Sequence, residues 1–297
     1  MADRKMKRIW IPQVIAILIL VWALLSLTFY INILSAQEID PYQLIEAMTE
    51  RTFHLKTLEY ENYMHERIGN KYVDKSSFFK IELSPFKLFV RQSFIGITIE
   101  GLYNSGFNNN KLLITTVGFP WIQITLDPLG ERVRKNHHHT IFEAGFTYFV
   151  EVIDNTMKNH RNEISLSYEG DKMVNDKICY IITFNVNNFH YYNYTVQPGE
   201  NLSDIAKQLY INDYLLLEKN PKIKYYDKVK PGQIILVPSA YAKRMVLYLD
   251  KELLLPIQIE IYDDKGLYSS YSYKKLIVNQ EFAWNEFNTI FKEYHFR

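Results

Sequence analysis

Alternation of side chains with period two is the feature of this sequence that most constrains its fold. Leu58, Tyr60, Asn62 and Met64 alternate with charged or polar neighbours, which is typical of a strand with one buried face. Similar runs follow, separated by turn residues. They predict strands over 72–80, 86–93, 97–103, 111–116, 164–168, 178–186, 245–250, 257–262 and 267–276. The sequence therefore predicts an antiparallel sheet.

The composition supports a sheet and excludes some classes of site. The 297 residues include 23 Tyr, 18 Phe and 4 Trp, and Tyr and Phe favour strands. Lys and Arg number 34 against 33 Asp and Glu, so the net charge of +1 gives no reason to bind nucleic acid. A single cysteine, Cys179, excludes an intramolecular disulfide, and no cofactor-binding motif is present, so we expect no cofactor.

Helical spacing occurs in two places outside the strands. Asp40-Pro41 is typical of a helix start, and the apolar spacing after it predicts a helix that ends near Lys56. Thr140 and Glu143 fit a capping box, and Phe142 and the apolar residues at helical spacing after it predict a second helix. The aromatic tail 284–296 is predicted as a short helix on the sheet. The predicted fold class is α+β.

The N-terminus predicts export. Residues 1–8 carry four basic side chains, and the segment 9–34 that follows is almost entirely apolar. This order is typical of a secretory signal and keeps the basic end in the cytoplasm. Residues 1–36 are thus either a cleaved signal peptide or a retained anchor helix. Both alternatives place the rest of the chain outside the cytoplasmic membrane, in the periplasm or cell envelope.

One segment departs from the alternation and has its own β–helix–helix–β pattern. Its marks are Tyr194-Thr195-Val196-Gln197-Pro198-Gly199-Glu200, Leu202-Ser203-Asp204-Ile205-Ala206, Asn220-Pro221 and Val229-Lys230-Pro231-Gly232-Gln233-Ile234. With this spacing, residues 193–238 resemble a LysM domain. The resemblance implies binding of glycans that contain N-acetylglucosamine, in bacteria mostly peptidoglycan, without chemistry.

The resemblance also implies where the glycan binds. The family's groove lies between the loop after the first strand and the loop after the second helix. Carried over to this chain, the groove residues are Gly199, Glu200, Asn201, Leu202, Asn220, Pro221, Lys222 and Ile223. The chain departs from the family pattern at Asn201, where Thr or Ser is usual, and at Tyr210, which replaces a glycine common after the first helix.

The sequence on either side, 40–190 and 243–297, resembles LolA-like half-barrel carriers and a bacterial family of unknown function with that fold. The similarity rests on Tyr248-Leu249-Asp250, Leu255-Pro256, Tyr262-Asp263, Tyr271-Ser272-Tyr273 and Asp127-Pro128-Leu129-Gly130. It implies a half-open sheet wrapped on a helix, with an apolar cavity for an acyl chain. Candidate lining residues are Phe79, Phe89, Phe94, Ile99 and Trp121. A closed hydrophobic core is the alternative, because alternating aromatic residues fill the inner face of any sheet.

Catalytic patterns are weak. His137 and His139 have the spacing of ligands on one strand face, as in some zinc peptidases. Those enzymes also need an upstream histidine with an aspartate four residues later, but Leu58 follows His54 and Gly69 follows His65 at that spacing, which favours a polar loop and no metal site. Cys179 lies in an apolar strand and is interpreted as a buried small hydrophobe. The predicted function is a non-enzymatic envelope protein whose LysM segment binds peptidoglycan and whose half-barrel binds an apolar ligand or a partner. A lipid or lipoprotein carrier and a wall hydrolase remain alternatives.

Overall fold

The computed structural model describes residues 15–16, 18–23, 39–94 and 96–297, without the side chain of Phe94. Most of the predicted signal or anchor segment 9–34 lies outside these residues, and its described part, within 15–23, is helical. Within the described ranges, no helix is long and apolar enough to cross a membrane. The chain divides into two compact units, one up to Asp40 and one from Pro41 to Arg297.

The second unit is built on one large antiparallel sheet of eleven strands. The strand order is β6-β5-β4-β3-β2-β1-β13-β12-β11-β8-β7, and each pairing is antiparallel. The strands are β1 (Thr57–Ile68), β2 (Lys71–Leu83), β3 (Phe86–Phe94), β4 (Ile97–Asn104), β5 (Leu112–Val117), β6 (Gln123–Leu126), β7 (Ile164–Val174), β8 (Lys177–Val186), β11 (Arg244–Asp250), β12 (Pro256–Asp263) and β13 (Gly266–Val278). The predicted strands are all present, and β6 is an addition.

Two further strands, β9 (Tyr191–Thr195) and β10 (Ile234–Pro238), form a separate two-stranded sheet. Between them lie the helices α4 (Leu202–Leu209) and α5 (Asp213–Lys219). We call Tyr191–Pro238 the inserted segment and the remainder of the second unit the scaffold. Strand β8 before the insertion pairs directly with β11 after it, Asn185 opposite Arg244. The large sheet is therefore continuous across the insertion.

Two helices cover the inner face of the sheet, which we define as the face that carries Leu58 and Tyr60. They are α1 (Pro41–Phe53), which begins at its proline as predicted, and α3 (Thr147–Asn159). Helix α1 buries Ile45 and Met48 in the same cluster as these strand residues, and α3 contributes an apolar face to that cluster as well. A one-turn helix, α2 (Glu131–Arg134), lies between β6 and α3.

The opposite, outer face of β2 to β5 is covered by the C-terminal tail. Phe89 and Leu102 pack there against Phe287, Tyr294 and Phe296. The prediction that the tail is a short helix is wrong, because residues 284–294 form successive turns. Its contact with the sheet is as predicted, since three aromatic side chains are enough to fix an irregular segment on an apolar face.

The predicted capping box is present but does not begin a long helix. The carboxylate of Glu143 accepts the backbone N–H of Thr140 at 3.1 Å, closing a 3₁₀ turn over Ile141–Glu143. Helix α3 starts only at Thr147, because Gly145 adopts φ +89 between the two elements. Phe142 therefore lies outside the helix to which its spacing assigned it.

Candidate functional site

The two loops predicted to form a groove meet over the core of the inserted segment. Leu202 and Ile223 are buried in one hydrophobic cluster with Val196 and Tyr226. The backbone N–H of Leu202 donates to the Tyr226 carbonyl at 2.9 Å. The side chains of Leu202 and Ile223 thus form the floor beneath the loops rather than their surface.

Three of the predicted groove residues use their polar side chains to fix the loops. Asn201 caps α4 by accepting the N–H groups of Ser203 and Asp204 at 2.9 and 3.0 Å. Glu200 accepts the Tyr194 hydroxyl at 2.8 Å. Asn220 bonds both N–H and carbonyl of Leu236 on β10 at 2.9 and 2.8 Å. These side chains hold the loop backbones in place.

Gly199, Pro221 and Lys222 are the exposed members of the set. They present backbone groups and one cation to solvent at the ends of the two loops. The departure at Tyr210 has a local explanation, because this residue ends α4 with φ +52 and ψ +45. That left-handed position is one that glycine occupies most easily.

The inserted segment is docked on the scaffold through a buried ion pair. Arg134 of α2 donates to the Asp213 carboxylate at 2.6 Å, and their side chains are 3% and 7% exposed. The Ser203 hydroxyl accepts a second Arg134 N–H at 3.0 Å and donates to Asp213 at 2.8 Å. The guanidinium also lies 3.4 Å from the centre of the Tyr226 ring. Burial raises the pKa of Asp213, and Arg134 opposes that effect.

A histidine forms the second part of this interface. His138 is fully buried, with its ring stacked 4.0 Å from that of Tyr268 and 4.7 Å from that of Tyr214. Asn212 donates to the His138 carbonyl at 3.2 Å and accepts the Tyr268 hydroxyl at 2.9 Å. Burial lowers the pKa of His138 to about 4, against the opposing charge of Glu66. The imidazole is therefore neutral at pH 7.

The scaffold contains a cavity of about 220 Å³ between the inner face of β1–β5 and the segment 132–145. Of the five predicted lining residues, Phe79 and Ile99 line it. Phe89 lies on the outer face, where its ring stacks 3.7 Å from that of Tyr294. It is next to Val90 on β3, and successive side chains of a strand point to opposite faces, so only Val90 faces the cavity. Trp121 is 62% exposed, and the Phe94 side chain lies outside the described residues.

The cavity also holds charged groups that the apolar interpretation did not include. Glu66 is buried, accepts the Tyr271 hydroxyl at 2.8 Å and lies 3.4 Å from the Lys75 ammonium. Burial would raise the pKa of Glu66, but the cations and imidazoles around it, His138 first and then Lys75, lower it to about 2. Lys75 lies 3.0 Å from Nδ1 of His137, whose pKa burial lowers to about 4.

The histidine cluster is thus a loop, as predicted, but its members are packed rather than solvated. His139 lies 3.1 Å from both the Glu143 carboxylate and the Tyr241 hydroxyl. Within the part of the chain that the structure describes, no group of three or more His, Cys, Asp or Glu side chains is arranged to hold a metal ion. Cys179 is buried as predicted, and burial raises the pKa of its thiol to about 11.

Sequence reasoning missed Arg134, Asp213 and Glu66. The first two are separated by 79 positions, so no local pattern could pair them. Glu66 did give a signal, because it stands at an inward position of the β1 alternation that starts at Leu58. A carboxylate at a predicted core position indicates a buried partner.

Comparison with protein families gives one match, the LysM domain, over residues 194–238. The comparison with curated proteins found no match to this sequence.

Solved structures similar to the chain include a DUF1329 family protein from Desulfovibrio piger, at 12% identity and a TM-score of 0.28, covering 84% of this chain and 98% of that one. The Mycobacterium tuberculosis lipoprotein LppX is 10% identical with a TM-score of 0.37, covering 82% and 99%. A LolA superfamily protein from Nitrosomonas europaea is 8% identical with a TM-score of 0.26, covering 84% and 98%. The chain thus combines a LysM segment with a scaffold whose structural neighbours include LolA-like proteins.

Proposed function

We propose that this chain is a non-catalytic cell-envelope protein that binds the N-acetylglucosamine glycan of peptidoglycan through its LysM segment. The observation that carries the proposal is the family match over residues 194–238, a segment that folds as one βααβ unit. Its two candidate loops lie over a common core that contains Leu202 and Ile223.

The groove residues divide by role in this proposal. Gly199, Pro221 and Lys222 are exposed and supply the contacts, mainly through backbone groups that bond the acetamido groups of the sugar. Asn201 and Asn220 act as positioning residues, because their carboxamides already bond α4 and β10. A single shallow groove offers little area, so we expect weak affinity for a soluble oligosaccharide and stronger retention on a polymer that presents many sites.

The location follows from the N-terminus. A basic flank followed by the apolar segment 9–34 directs export, and an uncleaved segment would hold the protein at the cytoplasmic membrane. The LysM segment and the scaffold would then lie on the side of the membrane that faces peptidoglycan. No nucleic acid partner is part of this proposal, since the net charge is only +1.

The half-barrel scaffold gives a second candidate role, that of a carrier for a lipid or lipoprotein. The observation that favours it is the cavity of about 220 Å³, whose walls include Met64, Phe79 and Val90. Lipid that copurifies with the protein and is identified by mass spectrometry would support this role.

The test of the glycan proposal is sedimentation of residues 37–297 with insoluble peptidoglycan. We expect retention of the native protein and its loss in Pro221→Trp, which places a bulky ring in the groove. Lys207→Trp is the matched control, because it adds the same ring on an exposed position of α4 away from both loops. Equal retention of both variants and native protein, or no retention at all, would contradict the proposal.

The alternative hypothesis, that the protein is a wall hydrolase, is tested with the same protein and peptidoglycan. A wall hydrolase lowers the turbidity of a peptidoglycan suspension, and added zinc would be needed if histidines supplied the catalytic metal. We expect constant turbidity with and without zinc.

A further inference from the structure

A row of polar side chains crosses the wall of the scaffold cavity. Asn62 of β1 lies directly opposite Ser77 of β2, which lies directly opposite Gln92 of β3. All three line the cavity, among apolar neighbours such as Phe79. Asn62 and Ser77 are each only 5% exposed.

No residue that the structure describes hydrogen-bonds to the side chains of this row. The side-chain oxygen of Asn62 is buried without a hydrogen bond. The side chains of Ser77 and Gln92 likewise form no hydrogen bond with any residue that the structure describes. Buried polar groups in native proteins are nearly always bonded, so the buried Asn62 oxygen is an exception. Together with the two unbonded side chains beside it, it indicates groups kept for a ligand.

The mouth of the cavity is positively charged. Arg132 and Lys135 line it, are exposed, and have no carboxylate of a described residue within ion-pair distance. The three carboxylates that line the cavity already have partners: Glu66 pairs with Lys75, Glu100 pairs with Arg91, and Glu143 is hydrogen-bonded to His139. The charged side chains that remain available to a ligand are therefore the two cations, Arg132 and Lys135.

Aromatic rings complete the lining. Phe79 stacks on Tyr60 with ring centres 5.2 Å apart, and both Phe79 and Tyr273 border the cavity beside the polar row. At about 220 Å³ the space exceeds the ~150 Å³ cavity that holds a benzene molecule. It suits one substituted ring with an apolar face and a polar edge.

We propose that this cavity binds a single-ring, N-acylated sugar acid with a free carboxylate, such as free N-acetylmuramic acid. Hydroxyl and acetamido groups pair with Asn62, Ser77 and Gln92, and the carboxylate lies at Arg132 and Lys135. This inference rests on the proposed role of the scaffold as a ligand carrier, but the ligand is a sugar acid instead of a lipid or lipoprotein. An alkyl chain would leave the polar row unpaired, and each buried group left without a partner weakens binding about fivefold or more.

The first experiment is calorimetric titration of residues 37–297, which contain the whole compact unit Pro41–Arg297 with its hydrophobic clusters. The probes are N-acetylmuramic acid, N-acetylglucosamine without the carboxylate, and decanoate without the polar ring. We expect the acid to bind at least tenfold more tightly than either other probe. The double variant Arg132→Gln and Lys135→Gln should lose that tenfold advantage, while Lys71→Gln, an exposed cation elsewhere, should keep it.

The second experiment places the binding in the cavity. Asn62→Leu and the half-buried Gln92→Leu should each weaken N-acetylmuramic acid about tenfold, and circular dichroism of each variant reports whether it is folded. Pro221→Trp should leave this binding unchanged. Loss in Pro221→Trp with retention in both leucine variants would assign the sugar to the LysM groove and overturn the proposal.

Decanoate that binds more tightly than N-acetylmuramic acid, and still more tightly after Asn62→Leu, would also overturn it in favour of an alkyl ligand. The outcome is independent of the glycan proposal. Failure of sedimentation with intact binding of the sugar acid contradicts only the LysM proposal, and the reverse result contradicts only this one.

Discussion

Replacement of Arg134 by methionine is expected to separate the LysM segment from the scaffold. Methionine keeps the aliphatic stem of the side chain but removes the charge that faces Asp213 at 2.6 Å. It also removes the guanidinium that donates to Ser203 and covers the Tyr226 ring.

The expected cost follows from burial. The two side chains are 3% and 7% exposed, so water cannot replace the lost partner. Removal of one member of a buried ion pair costs about 3–5 kcal/mol, and loss of a desolvated cation–π contact adds up to about 2 kcal/mol. Because burial already raises the pKa of Asp213, the carboxyl can take up a proton and recover part of this. We therefore expect a loss of about 4 kcal/mol.

The assay is guanidinium denaturation of residues 37–297, with limited proteolysis of the connections 187–190 and 239–243 as a local readout. Lys158→Met is the matched control, because its exposed pair with Asp154 at 2.7 Å is worth under about 0.5 kcal/mol. The double variant Arg134→Met and Asp213→Leu removes both charges and should be more stable than Arg134→Met alone.

A loss below about 1 kcal/mol in Arg134→Met would refute the reasoning. So would a double variant that is less stable than the single one, because then the carboxylate left without its partner would not be the source of the cost.

Three further predictions concern the titration of two histidines, the reactivity of the cysteine and the backbone conformation of one tyrosine. His137 and His138 have folded pKa values of about 4 against about 6.5 when unfolded, so their stability contribution is present above pH 6.5 and is lost as pH falls towards 4. Each pKa shift corresponds to about 3 kcal/mol of folding stability, and His138→Gln should flatten the stability-versus-pH curve in that range. Cys179 should react with a thiol reagent only after unfolding, and labelling of the native protein would contradict its burial. Tyr210→Gly should raise stability by about 1 kcal/mol by relieving the left-handed conformation, and a lower melting temperature would show that its ring packs usefully.

The sequence predicted those parts of the fold that depend on local patterns. Period-two alternation was sufficient for the strands, since it reports which face is buried, and the βααβ spacing was sufficient for the LysM segment. The tail was misassigned because aromatic residues at mixed spacing fix turns on a sheet as well as they fix a helix. Thr140 and Glu143 form their bond, but the glycine that follows delays the helix.

The candidate sites were less accessible to sequence reasoning. Phe89 was assigned to the cavity although its parity on β3 differs from that of Val90, and only the strand register reveals this. Docking through Arg134 and Asp213 joins residues far apart in sequence, so no spacing could indicate it. The unpaired state of Asn62 depends on what lies across the cavity, which periodicity does not report.

The most direct test of the central claim is a titration of isotope-labelled residues 37–297 with an N-acetylglucosamine tetramer, followed by nuclear magnetic resonance. If the LysM segment binds glycan, amide shifts will change at 199–202 and 220–223 and will not change in Pro221→Trp. Unchanged shifts in both loops at millimolar tetramer, or changes confined to the scaffold, would contradict the claim that this segment holds the chain to peptidoglycan.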